Sequence, residues 1–145
     1  MFNIRVRVRH LVEKYGTANP FLLTSYLNIN ILHAPLPDKI NGFLVRVLRR
    51  KYIVLNDKLS YEEQKVTLCH EIGHARLHSG YNYCLHAEQS YYIPSHIEAE
   101  ANEFAIRLLA YSEDIDDERI VELLRQKNPN PHEVHDILGR IMYRY

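Results

Sequence analysis

Cysteine is scarce in this sequence: Cys69 and Cys84 are the only two. A single possible bridge is not a disulfide framework, so the expectation is two free thiols in a reducing cytoplasm. Net charge is lacking too, because 18 Lys and Arg balance 18 Asp and Glu. No field of one sign therefore draws the chain to nucleic acid or to an anionic membrane, and no direct nucleic-acid binding is expected. No apolar run approaches the roughly eighteen residues that a membrane span needs. The start, Met1 to Arg9, carries arginine at every second position from Arg5 and has no signal-peptide core, so a cytoplasmic protein is expected. Repeats, low-complexity tracts and linkers rich in Gly and Ser are also missing. The expected organisation is one domain over residues 1–145, with 110–145 as a C-terminal helical extension.

What remains is an ordinary globular composition, 46% hydrophobic over 145 residues, enough to bury roughly 68–70% of the surface an unfolded chain exposes. Residues 4–15 alternate like a strand at Ile4, Val6 and Val8, yet Ile4, Val8, Leu11, Val12 and Tyr15 recur at helical spacing; a helix ended by Gly16 is expected. Asn19 before Pro20 starts a short helix to about Leu27. Ile29–His33, Gly42–Leu48 and Lys51–Leu55 read as strands, the last two as a hairpin. Ser60 and Glu63 give a capping box for a helix from Tyr61 toward Gly80. Further helices are expected over 95–109, 116–127 and 131–143. Local charge runs, basic at Arg46, Arg49, Arg50 and Lys51 and acidic at Glu98, Glu100, Glu103 and Glu113 to Glu118, read as solvated faces.

His70-Glu71-Ile72-Gly73-His74 matches the metal-binding pattern HExxH. On a helix the two imidazoles stand about 40° apart and roughly 6 Å along the axis, so both can reach one metal. Glu71 lies on the flank, placed to take a proton from water without occupying the coordination sphere. Gly73 leaves room for close packing beside the pair. His78 lies one turn further on, too far along the axis to share the metal easily, and is expected behind the site or in the core.

Catalytic zinc needs a third protein ligand and one open position. The best candidates are acids of the next helix, in Glu98-Ala99-Glu100-Ala101-Asn102-Glu103-Phe104-Ala105. Ala101, Phe104, Ala105 and Leu108 form its apolar face. Glu98 and Asn102, four apart, share a face, so Glu98 could ligate zinc while Asn102 orients a ligand histidine. Against this, Ser95 three residues earlier could make Glu98 the acid of a capping box, and Glu100 is the reserve ligand. Tyr83, His86, Tyr91 and Tyr92 are possible oxyanion donors that also read as packing residues.

HEIGHARLH followed by EAEANEFAIRLL resembles the ImmA/IrrE family of zinc-dependent metallopeptidases. LVEKYGTANPFLLTSYLNINIL and INGFLVRV extend the resemblance over about residues 10–110, although Leu108-Leu109-Ala110-Tyr111 departs from the Leu-Leu-Met-Pro segment of many members. The resemblance implies an α+β fold, a minimal gluzincin-like zincin with a small β-sheet packed on the HExxH helix and further helices around it. It implies zinc on His70, His74 and an acid of the Glu98 helix, with Glu71 as base. It also implies a protein substrate, a helix-turn-helix repressor whose cleavage relieves repression. A zinc-containing regulator that binds without cutting is the alternative, and a nucleic-acid or protein-binding role for the two C-terminal helices is a further one. The strand Gly42–Leu48 is expected to offer an edge for an extended peptide.

Overall fold

The structure, a computed structural model, describes residues 3–78, 83–84, 95–111, 116–125 and 131–142. Among these residues six helices and four strands follow in the order α1 (Ile4–Tyr15), α2 (Pro20–Tyr26), β1 (Ile29–Ala34), β2 (Gly42–Val47), β3 (Arg50–Asn56), α3 (Tyr61–Leu77), β4 (Tyr83–Cys84), α4 (Ser95–Leu109), α5 (Asp117–Leu123) and α6 (Pro131–Met142). The fold is α+β, a small sheet with helices on both faces, as a minimal zincin requires.

The helical reading of residues 4–15 wins because Ile4, Val8 and Leu11 all enter the core while Arg5 and Arg9 stay exposed. Asn3 caps its start through a bond from the Val6 amide, and Gly16 ends it at φ 68°. α3 begins with the expected capping box: the Glu63 amide donates to Ser60 Oγ at 3.1 Å, and the Ser60 amide donates to Glu63 Oε1 at 2.9 Å. It ends at Leu77, before Gly80, which lies outside the described residues. So do His86, Tyr91, Tyr92 and residues 113–115 of the acidic run, and only the backbone of Tyr83 and Cys84 is described.

The sheet order is β1-β3-β2-β4, with β1 parallel to β3, β2 antiparallel to β3 and β4 parallel to β2. Val47 pairs with Arg50, so the hairpin turns through Leu48 and Arg49 at φ 49° and 68°, the left-handed region that favours Asn and Gly. Alternate residues face opposite sides. Ile29, Leu44, Ile53 and Leu55 join α1 to α5 in one core. Ala34, Phe43, Val45, Val47 and Val54 join Val134, Ile137 and Leu138 of α6 in a second.

The expectation for β2 is modified by this packing. The edge expected of β2 is taken in part: β2 is buried on both faces, and β4 pairs with it at Val45 and Arg46. The two C-terminal helices enter different cores. Ile120 and Leu123 of α5 enter the first core, whereas α6 seals the opposite face of the sheet. Leu138→Ala should therefore destabilise the protein by about 2–5 kcal/mol, the ordinary cost of a Leu-to-Ala cavity. Chemical denaturation reads this, and a change under about 0.5 kcal/mol, as for a surface site, would detach α6 from the fold.

α3 is buried nearly all round, between the sheet and α4. A Cβ on Gly73 would lie 3.1 Å from Phe104 Cβ and 3.2 Å from the Ala101 carbonyl oxygen, so the glycine is what lets α4 approach. Among the described residues, no helix is long and apolar enough to cross a membrane.

Candidate metal centre

The approach of α4 to α3 at Gly73 brings Glu98 against the two histidines of the motif. His74 Nε2 lies 2.7 Å from Glu98 Oε1, and His70 Nε2 lies 3.3 Å from Glu98 Oε2. The two imidazoles meet edge to face with ring centroids 4.8 Å apart. One donor atom from each of His70, His74 and Glu98 falls within 4.8 Å of the others, close enough to hold one metal ion. Ser95 is the first residue of α4 rather than its cap, and the Glu98 carboxylate turns to the histidines. The solvated-face reading of the acidic run is corrected at this point: Glu98 and Glu100 both face imidazoles, and Glu103 is the member that pairs on the surface, with Arg107 at 2.8 Å.

The donor set fits a divalent cation. Among the described residues Glu98 Oε1 is buried without a well-formed hydrogen bond even though His74 Nε2 is so near. The atoms converge on a shared point rather than bonding one another. Buried lone pairs gathered in this way are costly unless a positive charge sits among them. The electrostatics agree. Burial works to raise the Glu98 carboxyl, but the facing imidazoles of His70 and His74 hold it well below the usual carboxylate range. Burial works to lower His70, yet Glu98, Glu71 and Asn102 together bring it above its ordinary value.

Glu71 points along the flank. Its carboxylate is 3.8 Å from His70 Nε2 and accepts from the backbone N–H of Leu44 on β2. Burial raises its carboxyl above the ordinary value, against the pull of both imidazoles and of that backbone donor. A raised carboxyl suits a group that must take up and release a proton near neutrality. The bond from Leu44 was not legible in the sequence, because it depends on how β2 lies under α3.

Asn102 stands next to His70 and acts to raise its pKa, yet among the described residues Asn102 Oδ1 and His70 Nδ1 are both buried without a well-formed hydrogen bond. His78 is buried behind His74, with Nδ1 atoms 3.3 Å apart, and its Nε2 lies 2.9 Å from Glu100 Oε1. Burial lowers the His78 pKa against the attraction of Glu100. Glu100 thus sits behind the site, and the three donors that converge are His70, His74 and Glu98. Cys69, on the same helix, is a free buried thiol whose pKa burial drives upward, an inert core residue.

Comparison with known proteins agrees with this geometry. Residues 24–123 match a peptidase family, the IrrE N-terminal-like domain. The chain belongs to this family. It is also 41% identical over 106 residues to a protein of Bacillus phage phi105 described as "Uncharacterized immunity region protein 2", an alignment covering 73% of this chain and 67% of that protein. No solved structure matches the chain. The family is one of metallopeptidases, and the matched region spans every residue of the candidate centre.

Proposed function

We propose that the protein is a zinc-dependent endopeptidase of the cytoplasm, with the whole chain acting as one domain. The observation that carries the proposal is the convergence of His70 Nε2, His74 Nε2 and the Glu98 carboxylate beside a buried Glu71. Two His and one carboxylate leave a fourth position open, as in catalytic rather than structural zinc sites. When bound, zinc supplies Lewis acidity, bringing the pKa of the attacking water toward about 7 and polarising the scissile carbonyl.

The chain's own residues do the rest. Glu71, held in place by the Leu44 amide, takes the proton of the attacking water and returns it to the departing amine. Asn102 orients His70 by accepting from its Nδ1–H, which satisfies the two unpartnered atoms at once.

The proposed substrate is a protein, a helix-turn-helix repressor whose loss relieves repression. Two things support this class: the peptidase family, and the relative whose own description places it in a phage immunity region. The test is incubation of the purified, zinc-containing protein with the repressor encoded beside its gene. Two defined fragments should appear on denaturing gels and mass spectra, and should fail to appear with chelator present. An intact repressor after prolonged incubation with zinc-containing protein would reject it as the substrate.

A further inference from the structure

Behind the three converging donors lies a second line of polar side chains that the hydrolytic reaction does not itself use. It runs from His74 Nδ1 to His78 Nδ1 at 3.3 Å, then from His78 Nε2 to Glu100 Oε1 at 2.9 Å. His78 is buried, its side chain 2% exposed, and the Glu100 side chain is 22% exposed. The line thus begins inside and ends near the surface.

The direction of the protons in it follows from donor and acceptor chemistry. An ionised carboxylate only accepts, so His78 Nε2 must carry the hydrogen it donates to Glu100. A neutral His78 then has a bare Nδ1, which accepts from His74 Nδ1–H. With its hydrogen on Nδ1, His74 presents a bare Nε2 to the centre, the atom that lies 2.7 Å from Glu98 Oε1. The opposite ordering would put a hydrogen on His74 Nε2 and block it as a ligand.

We infer that His78 and Glu100 are positioning residues, a histidine–carboxylate relay that fixes the tautomer and ring orientation of His74 so that its Nε2 is delivered to the metal. The inference rests on the zinc reading above and deepens it. Metal-bound histidines are ordinarily oriented by one carboxylate or carbonyl on the far ring nitrogen. Here an inserted imidazole spans the gap, because His78 caps the end of α3, four positions beyond His74, and Glu100 arrives from α4. The two ligand histidines are thereby served from different sides, His70 by Asn102 and His74 by His78.

The test is zinc affinity of the full chain, measured by competition with a chromophoric chelator, for the parent, His78→Ala, Glu100→Ala, Glu100→Gln and the double alanine variant. Each single alanine variant should still hold one zinc per chain but bind it about 10–100-fold more weakly. The double variant should lose no more than the worse single one, since the two residues act as one line. Glu100→Gln keeps an acceptor oxygen for His78 and should recover most of the affinity. Nitrogen-15 NMR of the zinc-containing parent should show His78 with its hydrogen on Nε2. Glu100 is partly exposed, so its variants fold even if His78→Ala does not.

A parent that holds no zinc would remove the metal centre and the relay together. A parent that holds zinc, with variants that bind it as tightly, would remove the relay alone. Complete loss of zinc on Glu100→Ala, with zinc kept on Glu98→Ala, would make Glu100 a ligand. A His78 carrying its hydrogen on Nδ1 would reverse the line and overturn the inference.

Discussion

Alanine at His70, at His74 or at Glu98 is expected to leave the purified protein without zinc, while the parent holds one zinc per chain. The size of the effect follows from the number of donors. A four-ligand structural site binds zinc with roughly 10–16 kcal/mol. One protein ligand therefore carries about 3–4 kcal/mol, on the order of a hundredfold to a thousandfold in affinity. Fewer ligands make each loss harder to absorb: with His70, His74 and Glu98 the three that converge among the described residues, removing one leaves two, and zinc is lost during purification. This separates the ligands from the residues behind them, since His78→Ala and Glu100→Ala weaken the site without emptying it. Elemental analysis of protein prepared without chelators reads the outcome. Zinc retained at full occupancy in Glu98→Ala would exclude Glu98 from the centre and return it to the role of a helix-start acid.

Much of this centre is legible in the sequence because its parts are local. The spacing of His70 and His74 is enough to aim both rings one way, and the four-residue spacing of Glu98 and Asn102 puts them on one face of α4. Caps are local as well, so Gly16, Asn19 and Ser60 mark their helices correctly, whereas Asn3 emerges as a cap only in the structure. What the sequence hides is set by contacts between distant segments. His78 and Glu100 are 22 positions apart and meet only because Gly73 lets α4 come within contact of α3. The edge of β2 appears open in sequence but is taken at Val45 and Arg46 by β4, some 38 residues later. That α6 covers the face of Phe43, Val45 and Val47 is likewise set by a distant segment. The turn through Leu48 and Arg49 carries neither Asn nor Gly, so no local signal announces its left-handed geometry. The ion pair of Arg119 with Glu62, at 2.9 Å, likewise joins α5 to α3 across 57 positions.

Glu71→Gln is expected to cut turnover by about 10²–10⁴-fold while leaving the metal and the partner bound. Glu71 is 5% exposed and does not belong to the three converging donors. Glutamine has the same shape, and its amide oxygen can still accept from the Leu44 N–H, so the packing under α3 is kept. What the amide cannot do is accept the proton of the attacking water. General base catalysis is worth about 10²–10⁴-fold in rate, and turnover should fall by that factor. Zinc content should stay at one per chain, and affinity for the partner should match the parent, so that the loss falls on the chemical step alone. A stable complex with uncut partner is the expected by-product. The same variant decides between a peptidase and a regulator that works by binding. In cells carrying the partner repressor, Glu71→Gln should fail to relieve repression if cutting is what relieves it. Full derepression by this variant, with the repressor intact, would make the zinc centre a device for holding a partner rather than for hydrolysing it.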